Sequence, residues 1–243
     1  LYGESRANSR GLDLSNEFRL AEIDAAVAAA NSQQWEARAL IAEEADAGAA
    51  AEWQAVRNPA DHGDRLGRIR EASAAEVESA LHAATNFAPS WAASDPAVRA
   101  TALEEAAEQM QAEMPRLIAL MMREAGKTCA NAVAEVREAV DFLRFYALQA
   151  RTELNSQTHR PLGAVLCISP WNFPLAIFTG QLAAALAAGN TVLAKPAEQT
   201  PLIAAEAVRL LWQAGVPRAA LQLVPGRGET VGIVGESGSG KTV

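Results

Sequence analysis

The sequence has little of what most metal and thiol centres are built from. Only two cysteines occur, Cys129 and Cys167, and they do not form a C-x-x-C pair. Together with the three scattered histidines, His62, His82 and His159, they give no zinc-ligand spacing. So few thiols suit a reducing, cytoplasmic compartment better than a disulfide framework. Positive charge is also short: 21 Lys and Arg stand against 29 Asp and Glu, a formal net charge of −8. That balance argues against non-specific nucleic-acid binding, which needs clustered cations to displace phosphate counterions. No apolar run is long enough to span a bilayer, and no basic-then-apolar signal segment opens the chain. Aromatics make up only 5% of the residues while alanine is abundant, so helices packed through small side chains should dominate. The chain opens on Leu1 rather than Met, which we read as a piece taken from something longer.

What is present divides into four stretches. Residues 1–52 carry a polar opening and then Ala-rich helical text, with Leu20, Ile23, Ala26 and Val27 at helical spacing. Residues 53–160 begin with short β-prone text in which Gly63 and Gly67 read as turn punctuation. Long helices follow there. Ser73 with Glu76 makes a capping box, Asp95-Pro96 starts a helix, Pro115 kinks or restarts it, and Gly126 stops it. A further helix is expected from about Ala130 to Gln149.

Residues 161–232 change to strand, helix, strand, helix, strand. Gly163–Ile168, Thr191–Lys195 and Leu221–Val224 are the strands, and Pro174–Ala188 and Pro201–Ala214 the helices between them. Two β-α-β units in tandem specify a parallel, doubly wound sheet with right-handed crossovers. With no strand expected beyond it, the third strand would present an unpaired edge. Residues 233–243 form a separate tail.

A nucleotide-binding sheet holds its ligand at the carboxyl ends of its strands. The residues there are Ser169-Pro-Trp-Asn-Phe-Pro174 and Lys195-Pro-Ala-Glu-Gln-Thr200. A lysine at a strand end suits ribose hydroxyls or phosphate. Glu198, three residues on, can accept two ribose hydroxyls and would repel a 2′-phosphate, which favours NAD over NADP. The Asn172 amide, beside that cleft, is a candidate donor to a developing oxyanion. Taken singly, each has a plainer reading. Trp171 and Phe173 would more often be core aromatics, Asn172 could satisfy a turn, and Lys195 could be a solvated charge.

The run Pro161-Leu-Gly-Ala-Val-Leu-Cys-Ile-Ser-Pro-Trp-Asn-Phe-Pro174, followed by Ala-Ala-Gly-Asn-Thr-Val-Leu-Ala-Lys-Pro-Ala-Glu-Gln-Thr200, resembles the aldehyde dehydrogenase superfamily. More closely, it is similar to the dehydrogenase half of bifunctional proline utilization A. Leu1-Tyr-Gly, Asn8-Ser-Arg-Gly-Leu-Asp13, Asn58-Pro-Ala-Asp61 and Glu124-Ala-Gly-Lys127 extend the resemblance from residue 1 to about 232. It implies an α/β fold: a helical N-terminal region plus an incomplete Rossmann-like parallel sheet of the aldehyde dehydrogenase fold. It also implies that Ile168, Ser169, Pro170 and Trp171 line the NAD site, that Lys195 and Glu198 hold the adenosine ribose, and that Asn172 is the oxyanion-hole amide. The implied parent reaction is oxidation of L-glutamate γ-semialdehyde to L-glutamate, with NAD accepting the hydride.

That chemistry needs a thiolate nucleophile and a carboxylate that activates water. In the family both lie beyond the last residue of this chain. Cys167 falls inside an apolar strand and reads as a buried structural thiol, and Cys129 has no base near it in sequence. The expectation is therefore a fragment that is inactive alone. Its partners would be a small aldehyde in the parent, and an oligomer mate or the missing remainder of the dehydrogenase. Gly235 to Thr242 matches G-x-x-x-x-G-K-[ST], a phosphate-cradling P-loop, and Gly228–Thr242 resembles oligopeptide-type ATP-binding-cassette transporters. A working P-loop needs a following helix, so we read Gly228–Gly232 as a junction between unrelated segments. Two rival readings remain: a non-catalytic nucleotide-binding module, and an ATP-binding-cassette fragment carried by the tail.

Overall fold

The computed structural model describes residues 6–43, 52–154 and 159–227. The P-loop-like tail and the Gly228–Gly232 junction lie outside the described residues, as does Leu1-Tyr-Gly. Helix α1 (Glu17–Ser32) starts where the Asn16 side chain accepts the amides of Phe18 and Arg19. Strand β1 (Trp35–Ala37) was not legible in the sequence. It runs parallel to β3 (Asp61–Ile69), which pairs antiparallel with β2 (Gln54–Asn58). The β2–β3 reversal is made by Pro59 and Ala60, where the Asn58 side chain accepts the Ala60 amide at 2.9 Å.

Gly63 and Gly67 are therefore not turn residues but members of β3. For Gly67 the reason is a close backbone approach. A Cβ there would fall 2.0 Å from the carbonyl oxygen of Trp35, on the neighbouring strand. Gly in a strand interior often marks such an approach.

The helical layer follows the caps. Ser73 and Glu76 exchange both capping-box hydrogen bonds at the start of α2 (Ala74–Ala92). Asp95 accepts the Ala97 amide to open α3 (Pro96–Ala112), and α4 (Met114–Glu124) restarts around Pro115. Gly126, at φ 63°, turns the chain out of α4, and Thr128 caps α5 (Cys129–Thr152). The expected helix over 130–149 is thus longer by a residue before and three after. Its packing surface is small, as expected: Ala132, Ala139 and Ala147 are fully buried beside Val136, Val140 and Leu143.

The second sheet is parallel, in the order β4 (Ala164–Ile168), β5 (Thr191–Lys195), β6 (Leu221–Leu223). Its crossovers are α6 (Ala176–Ala187) and α7 (Pro201–Gln213). Alternation along β5 sorts the faces. Leu193 packs with Ala80 and Ala84 of α2, while Val192 and Ala194 join the large core with Phe178 and Leu182 of α6 and Ile203 and Leu211 of α7. Successive strand residues point to opposite faces, so the sheet is buried on both sides. The edge of β6 is covered, contrary to expectation. Leu40 and Leu223 exchange two backbone hydrogen bonds at 3.0 and 2.9 Å. Among the described residues the uncovered edge belongs to β4, whose Ile168 is exposed. No described helix is long and apolar enough to cross a membrane, and no described group of three acidic, His or Cys side chains could hold a metal ion.

Candidate functional site at the ends of β4 and β5

Register brings the two loops singled out in the sequence to one place. Ile168 and Lys195 are partners at the last position of the β4–β5 ladder, and the Ser169 amide donates to the Lys195 carbonyl at 3.1 Å. The chain leaves both strands there, at the carboxyl end of a parallel sheet, the end at which such sheets hold their ligands.

Each site residue has a distinct setting. Ser169 is buried, and its hydroxyl donates to Oε1 of Gln181 at 3.0 Å. Nε2 of Gln181 returns a bond to the Ile168 carbonyl at 3.2 Å. Gln181 was not picked out from the sequence, although a lone amide in the apolar text of α6 was a usable signal. Pro170 is half-buried. Trp171 is 55% exposed and Phe173 40%, so neither is a core aromatic. The Asn172 side chain is exposed and satisfies no turn: its amide makes no hydrogen bond among the described residues.

Lys195 is buried rather than solvated. Its ammonium makes one hydrogen bond, to the Pro196 carbonyl at 3.0 Å, among the described residues. An ammonium carries three donors, and two of them make no bond among the described residues. Glu198 is exposed and lines a cavity of about 130 Å³ with Ala197, Pro225, Gly226, Ile69 and Glu71. Lys195 ends β5 and Glu198 lies in the loop that follows, but Lys195 is not in the cavity wall. The donor set fits a dinucleotide: an apolar Trp face, an under-used ammonium, and a carboxylate that can accept ribose hydroxyls.

Two charged residues behind the site also escaped the sequence reading, which took Gly126 simply as a helix stop. Glu124, the last residue of α4, accepts the amides of Leu202 and Ile203 at 2.6 and 2.9 Å, capping α7 from another helix. Burial pushes its carboxyl up to about 8, outweighing the two amide bonds that lower it. Lys127 reaches the Asn172 carbonyl at 2.6 Å and pairs with Glu135 of α5. They are the first and last residues of the Glu124-Ala-Gly-Lys127 run, which was the available signal.

Neither thiol is set up as a nucleophile. Cys167 lies within β4, where burial raises its thiol to about 11. Cys129 opens α5, half-buried, and its thiol is also raised by burial. Nucleophilic cysteines need the opposite shift.

Residues 44–234 match the aldehyde dehydrogenase family, which takes in both loops and ends before Gly235. The bifunctional protein PutA of Klebsiella aerogenes is 58% identical over 232 residues, 96% of this chain and 18% of that protein. A 1-pyrroline-5-carboxylate dehydrogenase of Bacillus thuringiensis is 38% identical over 187 residues, 72% of this chain and 36% of its own length. Proline utilization A from Bdellovibrio bacteriovorus superposes with a TM-score of 0.87 at 28% identity, over 93% of this chain and 25% of that one. A Thermus 1-pyrroline-5-carboxylate dehydrogenase with bound NAD gives 0.83 at 30% identity, over 92% and 46%. The chain therefore spans less than half the length of each of these relatives.

Proposed function

The chain belongs to the aldehyde dehydrogenase family, and from that premise we propose that it supplies the adenosine side of an NAD site and one oxyanion donor. The parent reaction is the oxidation of L-glutamate γ-semialdehyde to L-glutamate in proline catabolism. NAD, when bound, accepts the hydride. The similarity to PutA and to 1-pyrroline-5-carboxylate dehydrogenases supports this choice of substrate over other aldehydes.

The observation that carries the reading is the pairing of Ile168 with Lys195. It sets an exposed Asn172 amide, unbonded among the described residues, and a Lys195 ammonium with one bond among them at the same end of one parallel sheet. In the reading, Ile168, Ser169, Pro170 and Trp171 form the wall against which the cofactor lies. Lys195 donates to, and Glu198 accepts from, the adenosine ribose, and the Glu198 charge disfavours a 2′-phosphate. The Asn172 amide hydrogen-bonds the aldehyde oxygen as negative charge builds on it. A preorganised donor of that kind is worth about 2.7–4 kcal/mol of barrier.

The thiol that attacks the aldehyde is neither Cys167 nor Cys129, since both are held protonated by burial. The uncovered edge of β4 is where the rest of the dehydrogenase, or a second copy of the chain, would continue the sheet. A reducing, cytoplasmic setting agrees with the two free thiols. The test is an aldehyde-dependent NADH assay on the purified chain, with and without Cys129→Ser and Cys167→Ser. The reading expects no turnover in either form. Turnover that depends on one of these thiols would overturn the assignment.

A further inference from the structure

One lysine beside the site has no part in the function proposed above. Gly126 has φ 63°, and this bend carries the chain from α4 so that the Lys127 side chain crosses to the loop before α6. Its ammonium meets three groups there. It donates to the main-chain carbonyl of Asn172 at 2.6 Å, pairs with the Glu135 carboxylate, and stands 4.8 Å from the centre of the Phe173 ring. The side chains of Lys127 and Glu135 are 14% and 2% exposed, whereas Asn172 and Phe173 stand at the surface.

Glu135 works in two directions. One oxygen faces Lys127, and the other accepts the amides of Leu175 and Ala176, at 3.2 Å each, at the start of α6. The loop from Ser169 to Leu175 is consequently held at three points. Its entry is fixed by the Ser169 amide on Lys195, its middle by Lys127 on Asn172, and its exit by Glu135. Only the middle point touches the residue that carries the free amide. A charge-assisted bond is shorter and roughly twice as strong as a neutral one. Placed on the Asn172 carbonyl, it fixes the peptide plane that follows Asn172, and with it the direction in which the side chain leaves the backbone. Oxyanion donors must be held within about 0.5 Å to act.

We infer that Lys127 is a positioning residue for Asn172: the ammonium, itself aimed by Glu135, fixes the backbone from which the oxyanion donor projects. The inference rests on the reading of Asn172 as that donor. A simple brace between α4, α5 and α6 would use the same contacts, so the test must separate aim from stability.

The experiment follows side-chain NMR signals of the 15N-labelled full chain. The Asn172 amide pair is identified by its disappearance in Asn172→Asp. The Trp212 indole of α7, which donates to the Leu221 carbonyl of β6 at 2.8 Å, away from β4, serves as the control. In Lys127→Met the Asn172 pair, which makes no hydrogen bond among the described residues, should shift and relax as a more mobile group, while the Trp212 signal stays in place. Lys127→Arg, which keeps the charge and donors, should restore the Asn172 signal. Unchanged Asn172 signals in Lys127→Met, or equal movement of Asn172 and Trp212, would overturn the inference. If Lys127→Met does not fold, Glu135→Gln is read by the same criteria. Loss of fold in both marks a brace and also overturns it. A separate NAD titration of the unaltered chain distinguishes the two levels. No NAD binding would sink the proposed function, while the coupling of Lys127 to Asn172 would stand or fall on the NMR alone.

Discussion

Ile168 and Lys195 face each other at the last register position of β4 and β5, and the amide of Ser169 closes the ladder on the Lys195 carbonyl at 3.1 Å. Two loops that begin 26 positions apart in sequence thereby meet at one end of the sheet. The arrangement places an apolar wall, a buried cation and an exposed amide where a parallel sheet binds its ligand.

Lys195→Met should weaken NAD binding roughly 10- to 150-fold, the range for losing one hydrogen bond to a charged group. The methionine fills the buried space of the lysine stem, so thermal stability should change little. Calorimetric titration beside a melting curve separates the two effects. Equal affinity in the two proteins would remove Lys195 from the site.

Glu124 links stability to pH. Its folded-state pKa is raised from 4.5 to about 8, so the folded protein holds a proton that the unfolded chain releases between those values. The contribution is full below about 4.5 and is lost as pH rises through about 8. Urea denaturation between pH 5 and 8 should show a declining contribution that Glu124→Gln lacks. The glutamine also turns an N–H group toward the Leu202 or Ile203 amide, so it should cost about 1–3 kcal/mol at pH 5 for the bond lost.

Gly67→Ala should destabilise the chain by about 1–3 kcal/mol or more, because its Cβ would collide with the Trp35 carbonyl at 2.0 Å. Gly63→Ala, on the same strand, meets nothing nearer than the Asp61 side chain at 3.2 Å and should be close to neutral. Equal midpoints for the two variants in urea would show that β1 and β3 are not packed as described.

The contrast between these glycines shows where the sequence stopped being informative. The β4–α6–β5–α7–β6 run was legible because apolar strands, helix stops at Gly189 and Gly215, and an N-terminal Pro201 all act locally. Caps at Ser73 and Asp95 were legible for the same reason. Strand β1 was not, since three residues acquire strand character only by pairing with β3, some 32 positions away. Gly63 and Gly67 look alike as text, and only the approach of Trp35 tells them apart. At the site, the strand-end loops followed from the β-α-β pattern. The support behind them did not. Glu124 meets α7 across 78 positions and Lys127 meets Asn172 across 45, and no local periodicity records such contacts.

The most direct test of the account is titration of the folded chain with NAD and NADP, repeated with Glu198→Gln. The account predicts saturable binding of NAD, weaker binding of NADP, and a narrowing of that gap when the Glu198 charge is removed. Failure of the folded chain to bind NAD, or an unchanged gap in Glu198→Gln, would contradict it.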